Sequence, residues 1–475
     1  MMKIHNSLTQ KKEDFQPLKK GEVSMYVCGP TVYDEPHIGH LRSAYVFEVV
    51  RNYFKYTGHK VRFARNVTDV DDKIIEKARS LGTPDLNSAV SEISVKYFDL
   101  YKRDLKRLGI QEPDFEPKAT EFIPQMVALI EKLIASGHAY AAPSCPAGRG
   151  GNVYFKVGSF ADYGELSHQR MDQMLEEARV EANPDKLTPL DFALWKKAKE
   201  GEPSWDSPWG KGRPGWHIEC SAMSLSYFGG VFDIHGGGRD LIFPHHENEN
   251  AQSRCATGHP FVNLWMHHGL ITVSGKKMSK SLKNFITLDE IMKEDPAFGD
   301  EVLKLTFLGT HYSAPLDFAP ERVKMDHQVW RRFLEFFQNA RSAEKNGARV
   351  SEKRIPEINQ SFREAMDNDF NTSEVLARMH ALVHETYKAG DPIALVSAAA
   401  SIRNFGSEVF GIVFDQSDES NTFKPEIEKA IADRAAARKA KDFKSADEIR
   451  NRLLSERGIE LRDLSDGRTT WRVRL

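Results

Sequence analysis

Near its N-terminus the chain passes from a short apolar stretch through a turn into a segment of helical periodicity. The apolar stretch covers residues 25–28, of sequence MYVC, and Gly29 and Pro30 follow it at once. Residues 44–50, of sequence AYVFEVV, then carry apolar side chains at helical spacing. Glycine and proline typically mark turns. This order of patterns predicts a strand, a loop and a helix N-terminus.

The loop before the predicted helix has the sequence PHIGH over residues 36–40. A helix N-terminus gathers unpaired backbone N–H groups and the positive end of the helix dipole, so it stabilises a polyanion. Gly39 lets the backbone approach a nucleotide closely, and His37 and His40 can donate hydrogen bonds to phosphate oxygens. The alternative for so short a motif is that the two histidines only cap a helix.

A second candidate for ATP binding is the segment KMSKS, residues 277–281, which follows the strand-like stretch LITV at 270–273. Lys280 could neutralise the charge that develops on a leaving pyrophosphate, which is the main help a protein gives to phosphate displacement. Taken alone, this loop could also be a solvated basic turn. The two segments in this order predict an ATP site that uses His37, Gly39, His40 and the loop residues Lys277, Met278, Ser279, Lys280 and Ser281.

Four residues beside these segments could bind a metal ion: Cys28, Cys220, His245 and Glu249. His245 and Glu249 are four residues apart, so they share one face if that stretch is helical. The same pair could be a simple helix-surface contact, and the two cysteines could be inert buried thiols. No C-x-x-C motif is present, so the residues alone leave a metal site and a structural role both open.

The two ATP segments match H-I-G-H and K-M-S-K-S, the signatures of class I aminoacyl-tRNA synthetases, without substitution. Within that class the chain resembles the cysteinyl-tRNA synthetase family. The resemblance rests on residues 25–34 (MYVCGPTVYD), 65–74 (RNVTDVDDKI), 215–223 (GWHIECSAM) and 243–249 (FPHHENE), and it extends nearly from end to end.

The resemblance implies one zinc ion per subunit, because Cys28, Cys220, His245 and Glu249 match the zinc ligands of the family. His246 is then a neighbour that packs behind the ligands. We expect zinc to take the sulfur of the substrate, since a soft thiolate binds zinc far better than a hydroxyl does. Shape alone separates such similar substrates by only about 1–3 kcal/mol. Cys145 and Cys255 match no ligand position, so structural roles are expected for them.

Other positions carry over from the family as binding residues. Trp216 and His217 resemble a wall of the amino-acid pocket, and Thr68 a polar contact to the amino or carboxylate group of cysteine. The run GGGRD at 236–240 suits an adenosine ribose or the substrate ammonium, although an ordinary tight turn would explain it too. Pro30, Gly237 and Asp240 are therefore assigned to the ATP site.

Three acidic residues near Thr68 could suggest magnesium: Asp69, Asp71 and Asp72. A structural or hydrogen-bonding role is the better interpretation, because magnesium would more naturally arrive as Mg-ATP, the substrate.

Composition favours an intracellular enzyme of several domains. A chain of 475 residues exceeds one compact core. Four irregularly spaced cysteines argue against a disulfide framework and for a reducing compartment. No apolar run long enough for a membrane span occurs, and residues 1–6 lack the pattern of a secretory signal or presequence. We expect a cytoplasmic protein, without membrane association and monomeric.

The formal charge of −2 does not point to nucleic acid, so a surface for tRNA would have to be local. Residues 425–475 contain 13 Lys or Arg and 10 Asp or Glu, which solvated helix faces would explain equally well. Residues 459–464 and 469–474 flank Asp466-Gly467 and predict a β-hairpin. Trp471 and Arg472 in this hairpin could contact an unpaired base of tRNA, although a lone tryptophan more often serves packing. The resemblance implies an anticodon-binding domain here.

The predicted fold is α/β: a Rossmann-like, doubly wound parallel sheet split by a connective insertion, then an α-helical bundle and a small C-terminal anticodon-binding module. The predicted parts are residues 1–110 (first half of the sheet domain), 111–210 (insertion), 211–272 (second half, with the zinc site), 273–320 (KMSKS loop and stem contact), 321–414 (bundle) and 422–475 (C-terminal module). A polar linker is expected at 415–421.

The implied activity has two steps. The carboxylate of L-cysteine attacks the α-phosphate of ATP to give cysteinyl-adenylate, and the 3′-terminal ribose of the tRNA for cysteine then takes the cysteinyl group. His37, His40 and Lys280 are the expected catalytic residues. Three alternatives are a ligase that passes the adenylate to a sugar amine, an idle RNA-binding paralogue and a zinc hydrolase. The long C-terminal region disfavours the sugar-amine ligase, and the intact signatures disfavour the idle paralogue. The ATP segments disfavour the zinc hydrolase, which would leave them unexplained.

Overall fold

The first part of the chain forms a hairpin, two parallel strands and three helices. The computed structural model describes residues 2–142, 151–177, 185–278, 284–294, 299–414, 419–439, 442–457, 459–463 and 469–473. The elements of this part are β1 (Lys3–Asn6), β2 (Lys11–Asp14), β3 (Glu22–Val27), α1 (Ile38–Tyr56), β4 (Lys60–Arg65), α2 (Asp72–Ser80) and α3 (Leu86–Arg107). The strand, loop and helix predicted around residues 25–50 are therefore β3, the loop after it and α1.

An insertion with its own antiparallel sheet follows. Its elements are α4 (Ile123–Ala135), β5 (Ala139–Ala141), β6 (Val153–Phe155), α5 (Met171–Glu177), β7 (Phe192–Lys197) and β8 (Gly212–Pro214). The strands pair in the order β5-β6-β7-β8, all antiparallel. Trp195 of β7 is fully buried in a core that also holds Phe155 and Leu133. This core also takes in Ile218 and Ala251 from the two helices that follow the insertion, so the insertion packs against them.

The chain then returns to the central sheet through α6 (Trp216–Phe228), β9 (Phe232–Gly238), α7 (Glu247–Thr257) and β10 (Val262–His268). The strand order is β10-β9-β3-β4, and every pair is parallel. β4 lies on one side of β3 and β9 on the other, so the winding direction reverses between β3 and β9. Ligands of such sheets bind outside the carboxyl ends of the strands at this reversal. The structure confirms the predicted doubly wound parallel sheet.

After β10 the chain forms a small three-stranded sheet and becomes helical. The elements are β11 (Ile271–Val273), β12 (Lys276–Lys277), α8 (Leu288–Glu294), α9 (Gly299–Leu308), β13 (Leu316–Asp317), α10 (Pro320–Lys345), α11 (Ile355–Asp367), α12 (Thr372–Ala389) and α13 (Pro392–Phe410). β11 pairs antiparallel with β12 and parallel with β13. The Tyr45 hydroxyl of α1 donates to the Phe410 carbonyl at 2.7 Å, so the bundle packs directly on the helix that carries the first ATP segment.

The C-terminal part consists of α14 (Glu419–Lys439), α15 (Phe443–Arg457), β14 (Ile459–Asp463) and β15 (Thr469–Val473). The strands pair antiparallel, with Leu461 opposite Trp471, as predicted. The linker predicted at 415–421 is shorter than expected, because α14 already begins at Glu419. The domain limits inferred from the sequence stay predictions. Among the described helices none is both long and apolar enough to cross a lipid bilayer.

Candidate active site

The two histidines of the first ATP segment hold the start of α1. His37 is the N-cap residue, and its Nδ1 accepts a hydrogen bond from Gly39 N at 3.0 Å. His40 Nδ1 accepts from His37 N at 3.3 Å, and the two rings stack with centroids 3.8 Å apart. Capping therefore uses Nδ1 in both rings. Burial, followed by the charge of His37, lowers the pKa of His40 to about 3, so His40 is a neutral hydrogen-bonding group.

The described residues just before and just after 279–283 lie against the first ATP segment. A Cβ placed on Gly39 would be 3.4 Å from Met278 Cε. On the far side of the loop, Ile38 N donates to Ile286 O at 3.0 Å, and the Phe285 ring meets the His37 ring edge-on at 5.0 Å. Lys277 lies on β12, whereas Ser279, Lys280 and Ser281 are outside the described residues. The contacts of Met278, Phe285 and Ile286 with the start of α1 therefore bring the two segments to one site.

The four predicted metal ligands come from four different elements. Cys28 directly follows β3, Cys220 lies on α6, and Glu249 lies on α7. His245 lies in the π-helical segment Ile242–His246, which runs directly into α7, so His245 and Glu249 meet at the i,i+4 spacing expected from the sequence, with His245 Nε2 3.0 Å from Glu249 Oε1. The ligand atoms of all four residues lie within 4.8 Å of one another, and all four side chains are buried. The cluster sits at the carboxyl end of β3, where the winding of the sheet reverses.

Two distances from Cys28 within this cluster match those of a tetrahedral zinc site. With Zn–S bonds of about 2.3 Å and Zn–O bonds of about 2.1 Å, two thiolates lie about 3.8 Å apart, and a thiolate and a carboxylate oxygen about 3.6 Å apart. Here Cys28 Sγ and Cys220 Sγ are 3.7 Å apart, and Cys28 Sγ and Glu249 Oε1 are 3.6 Å apart. Two sulfurs, one imidazole and one carboxylate are also donors that zinc accepts.

The charges of the cluster are already arranged for a cation. Burial opposes ionisation of Glu249, but His235 and His245 outweigh it and lower the pKa of Glu249 to about 2. Burial also opposes ionisation of Cys220, but the hydrogen bond with Cys28 and the contact with His245 lower its pKa to about 6. Against the effect of burial, Glu249 and Cys220 raise the pKa of His245 to about 10. His245 therefore supplies the positive charge that a metal ion would replace, with release of a proton.

A second group of four, Cys28, His235, His246 and Glu249, also brings its ligand atoms within 4.8 Å. His235 Nε2 lies 2.9 Å from Glu249 Oε2, the oxygen that faces away from Cys28. His246 Nε2 lies 3.3 Å from Cys28 Sγ. The first group contains both thiols and matches the tetrahedral distances, so the histidines of the second group are better placed to orient Glu249 and Cys28 than to bind the ion.

His246 is itself held by a chain of hydrogen bonds that leads to the N-terminal hairpin. His246 Nδ1 lies 2.7 Å from His267 Nε2, and His267 Nδ1 lies 2.7 Å from Ser7 Oγ. Burial lowers the pKa of His246 and of His267 well below the usual value, so both rings are neutral. Sequence reasoning placed His246 behind the ligands but overlooked His235 and His267. Their only signal was the presence of histidine near the ends of two apolar strands.

Trp216 and His217 lie between the metal cluster and an open cavity. The Trp216 ring stacks on the His245 ring at 4.1 Å, and His217 Nδ1 lies 3.1 Å from His245 Nδ1. Both residues line a cavity of about 540 Å³ that extends into the insertion. Its charged lining consists of Lys186, Lys196, Lys197, Lys199, Arg213, Asp71, Asp72 and Glu202. The predicted wall residues thus border a cavity with an excess of cations.

Other predicted site residues have partners within the protein. The Thr68 hydroxyl donates to Glu219 Oε2 at 3.2 Å, and Thr68 is 2 % exposed. Pro30 holds the loop after β3, because its carbonyl accepts from Thr68 N at 3.2 Å. A Cβ on Gly237 would lie 2.8 Å from His246 Cε1, so this glycine makes room for a ring of the cluster. Asp240 is exposed in the turn after β9.

The aspartates after Thr68 serve the structure, as expected. Asp69 accepts from the hydroxyl of Thr120 at 2.6 Å and from its backbone N–H at 3.0 Å. Asp71 caps α2, and Asp72 makes ion pairs with Lys196 and Arg213. Of the two remaining cysteines, Cys255 is half-buried, and Cys145 lies outside the described residues.

Comparison with known families accounts for most of the chain. A profile described as "tRNA synthetases class I (C) catalytic domain" matches residues 14–328. A DALR domain matches residues 361–415, and a "Cysteinyl-tRNA ligase anticodon binding domain" matches residues 420–472.

Similar proteins agree with these matches. The cysteine–tRNA ligase of Halorhodospira halophila is 46% identical over 481 residues, which cover 99% of each chain. That of Alkalilimnicola ehrlichii is 44% identical over 486 residues, 99% of this chain and 100% of the relative.

Among solved structures, the fold is similar to that of Mycobacterium tuberculosis methionyl-tRNA synthetase in complex with methionyl-adenylate. The TM-score is 0.58 at 13% identity, over 82% of this chain and 92% of the other. Agrobacterium radiobacter LeuRS in its ternary complex gives a TM-score of 0.62 at 12% identity, over 84% and 85% of the chains. The sequence matches carry the assignment further than the fold: the chain belongs to the cysteine–tRNA ligase family of class I tRNA synthetases.

Proposed function

We propose that this protein activates L-cysteine with Mg-ATP to cysteinyl-adenylate and transfers the cysteinyl group to the 3′-terminal adenosine of the tRNA for cysteine. The observation that carries the proposal is the buried cluster of Cys28, Cys220, His245 and Glu249 beside the ATP segments at the carboxyl edge of the sheet. A thiol-selecting centre next to a nucleotide site is what activation of cysteine requires.

In the activation step, the start of α1 holds the phosphates of ATP. The positive end of the α1 dipole and the rings of His37 and His40 stabilise the charge that develops at the α-phosphate. Lys280 acts on the leaving pyrophosphate from the loop whose flanks contact Gly39 and Ile38. Pro30, Gly237 and Asp240 shape the nucleotide side of the site, the glycine through its contact with His246.

Cys28, Cys220, His245 and Glu249 would hold one zinc ion, which when bound supplies a soft Lewis acid that prefers a thiolate to a hydroxyl. Glu249 is oriented by His235, and Cys28 is in contact with His246. Trp216 and His217 form the wall past which the amino acid reaches this cluster from the cavity. Thr68 acts through Glu219, on the helix turn that carries Cys220, so it positions the pocket rather than the substrate.

For the transfer step, tRNA must reach both ends of the molecule. The match of residues 420–472 to an anticodon-binding domain supports recognition of tRNA by the C-terminal part, where Trp471 and Arg472 lie on β15. The cation-lined cavity beside Trp216 suits the phosphates of the acceptor end. No described side chain stands out as a general base. We further propose that the protein acts as a monomer in the cytoplasm.

The test measures cysteine-dependent exchange of labelled pyrophosphate into ATP, with serine as the control amino acid, before and after chelation of metal. Total tRNA is then added and cysteinyl-tRNA is quantified. Exchange that requires metal and cysteine, followed by transfer, supports the proposal. Exchange without transfer would instead indicate a small acceptor, and no exchange by metal-loaded protein would indicate a paralogue without activity.

A matched pair of cysteine variants sharpens this test. Cys220→Ser removes a sulfur from the cluster, whereas Cys255→Ser changes a half-buried thiol outside it. We expect Cys220→Ser to lose bound zinc and the preference for cysteine over serine, and Cys255→Ser to keep both. Unchanged zinc content in Cys220→Ser would contradict the assignment of this ligand.

A further inference from the structure

Arg42 is a fully buried arginine on the second turn of α1, two residues after His40. It is 1 % exposed. Its Nη1 donates to the carbonyls of Gly269 at 2.6 Å and Leu270 at 3.2 Å. Its Nη2 donates to the carbonyls of Ala314 at 2.8 Å and Tyr312 at 3.4 Å. Every hydrogen bond of this guanidinium that the structure shows therefore goes to main-chain oxygen.

The four carbonyls belong to the two segments that enter the small sheet. Gly269 and Leu270 join β10 to β11, and residues 312–314 lead into β13. β11 and β13 pair in parallel, with Ile271 opposite Leu316. β11 continues through β12 into the loop of Lys280. One side chain thus joins the helix that carries His37 and His40 to both strands beneath the second ATP segment.

The two backbone segments beside the guanidinium lie in close contact with each other. Gly269 N donates to Tyr312 O at 2.9 Å, and a Cβ on Gly269 would overlap the carbonyl of Ala314. His268 Nδ1 also lies 3.0 Å from the Gly269 carbonyl. Glycine at 269 is therefore required so that the two segments can converge on the same cation.

Burying the charge of Arg42 has an electrostatic cost, which indicates that its hydrogen bonds serve more than the stability of the fold. No carboxylate lies within ion-pair distance of Arg42 among the described residues, and a buried charge without an anion is costly. Burial lowers the pKa of Arg42 only to about 10, so the charge persists at neutral pH. A planar guanidinium presents its donors in a fixed fork that contacts carbonyls of both segments, whereas the ammonium of lysine is a compact point charge without that geometry.

We infer that Arg42 is a positioning residue of the ATP site, which sets the distance between the start of α1 and the strands β11 and β12 that lead into the second ATP segment. The inference rests on the proposed function, because it assigns ATP to these two segments. Arg42 acts through the strands β11 and β13 and does not need to touch the nucleotide.

The test compares Arg42→Lys and Arg42→Gln with Arg51→Lys in the full-length protein. Arg51 is the matched control, since it is also buried on α1 at 4 % exposure but donates to Glu112 O at 2.9 Å, away from the second ATP segment. For each variant, kcat of cysteine-dependent pyrophosphate exchange, KM for cysteine, the melting temperature and deuterium uptake by the amides of residues 271–277 are measured.

We expect both Arg42 variants to lower kcat roughly 100-fold, the scale of a 1 Å misplacement of reacting groups, with KM for cysteine unchanged. Deuterium uptake at 271–277 should rise, because local opening becomes easier, whereas Arg51→Lys should lower the melting temperature without either effect. The inference is overturned if the Arg42 variants keep the kcat of the wild type, if Arg51→Lys loses kcat equally, or if both Arg42 variants are insoluble while Arg51→Lys is not.

Failure of the proposed function would look different. In that case the wild-type protein itself would show no exchange, and deuterium uptake alone would decide the role of Arg42. Greater uptake at 271–277 in the Arg42 variants than in Arg51→Lys would still show that Arg42 holds β11 and β12 against α1, and equal uptake would overturn that role as well.

Discussion

The contact between His235 and Glu249 allows a quantitative test of how the metal cluster is built. Both side chains are 0 % exposed, and His235 Nε2 lies 2.9 Å from Glu249 Oε2. In the arrangement favoured above, His235 orients the carboxylate while Oε1 faces Cys28. In the alternative group of four, His235 would bind the metal itself. The variants His235→Leu and His235→Gln separate these two arrangements.

The expected effect follows from the loss of one buried hydrogen bond. His235→Leu leaves Glu249 Oε2 without its donor, which costs about 1–3 kcal/mol in a buried site. That free energy corresponds to a loss of zinc affinity of roughly 5- to 150-fold, in line with the 10- to 100-fold typical of outer partners of metal ligands. His235→Gln offers an amide N–H in place of Nε2, so its zinc affinity should stay much closer to that of the wild type.

Zinc affinity is measured by competition with a chromophoric chelator at neutral pH. His380→Leu is the control, because His380 is a half-buried histidine of α12 that packs on Phe333 at 4.8 Å, outside the cluster. Equal and complete loss of zinc from His235→Leu and His235→Gln would refute the reasoning and make His235 a ligand. Unchanged affinity in His235→Leu would show that the hydrogen bond does not orient Glu249.

Three further predictions concern the catalytic site and its support. Asp369→Ala should lower the melting temperature more than Asp369→Asn, because the buried carboxylate accepts a hydrogen bond from Tyr312 Oη at 2.8 Å. Asparagine keeps an acceptor and tolerates the positive φ of 67° at this position. Equal melting temperatures of the two variants would contradict this. Gly39→Ala should lower kcat of pyrophosphate exchange at least about 10-fold, because the new Cβ would lie 2.7 Å from the His37 ring. An unchanged kcat would show that the ring has room to move. Lys280→Ala should lower the same kcat by about 10² to 10³ with KM for cysteine unchanged, and a change in KM alone would place Lys280 in binding rather than in catalysis.

The local unit around the first ATP segment was predictable because its elements are encoded by neighbouring residues. The apolar stretch before Gly29 became β3, and the periodic segment 44–50 lies within α1. For His37 and His40 the sequence left capping and phosphate binding both open. The structure shows capping through Nδ1 in both rings.

The spacing of His245 and Glu249 was also informative, because the two residues are four apart on one continuous helical segment and meet at 3.0 Å. The sequence did not indicate contacts between distant segments, such as that of the Thr68 hydroxyl with Glu219. Neither spacing nor residue type reports which buried polar group a side chain will find across such a separation.

The sequence by itself determined the family, the order of the two ATP segments and the residue types of the metal cluster, because these depend on short contiguous motifs and on a match along nearly the whole chain. Only the tertiary structure decided that His235 and His246 stand behind Glu249 and Cys28, and that Arg42 joins α1 to β11 and β13. These contacts join residues 14 to 272 positions apart, so they depend on strand order and on the convergence of backbones rather than on any local pattern.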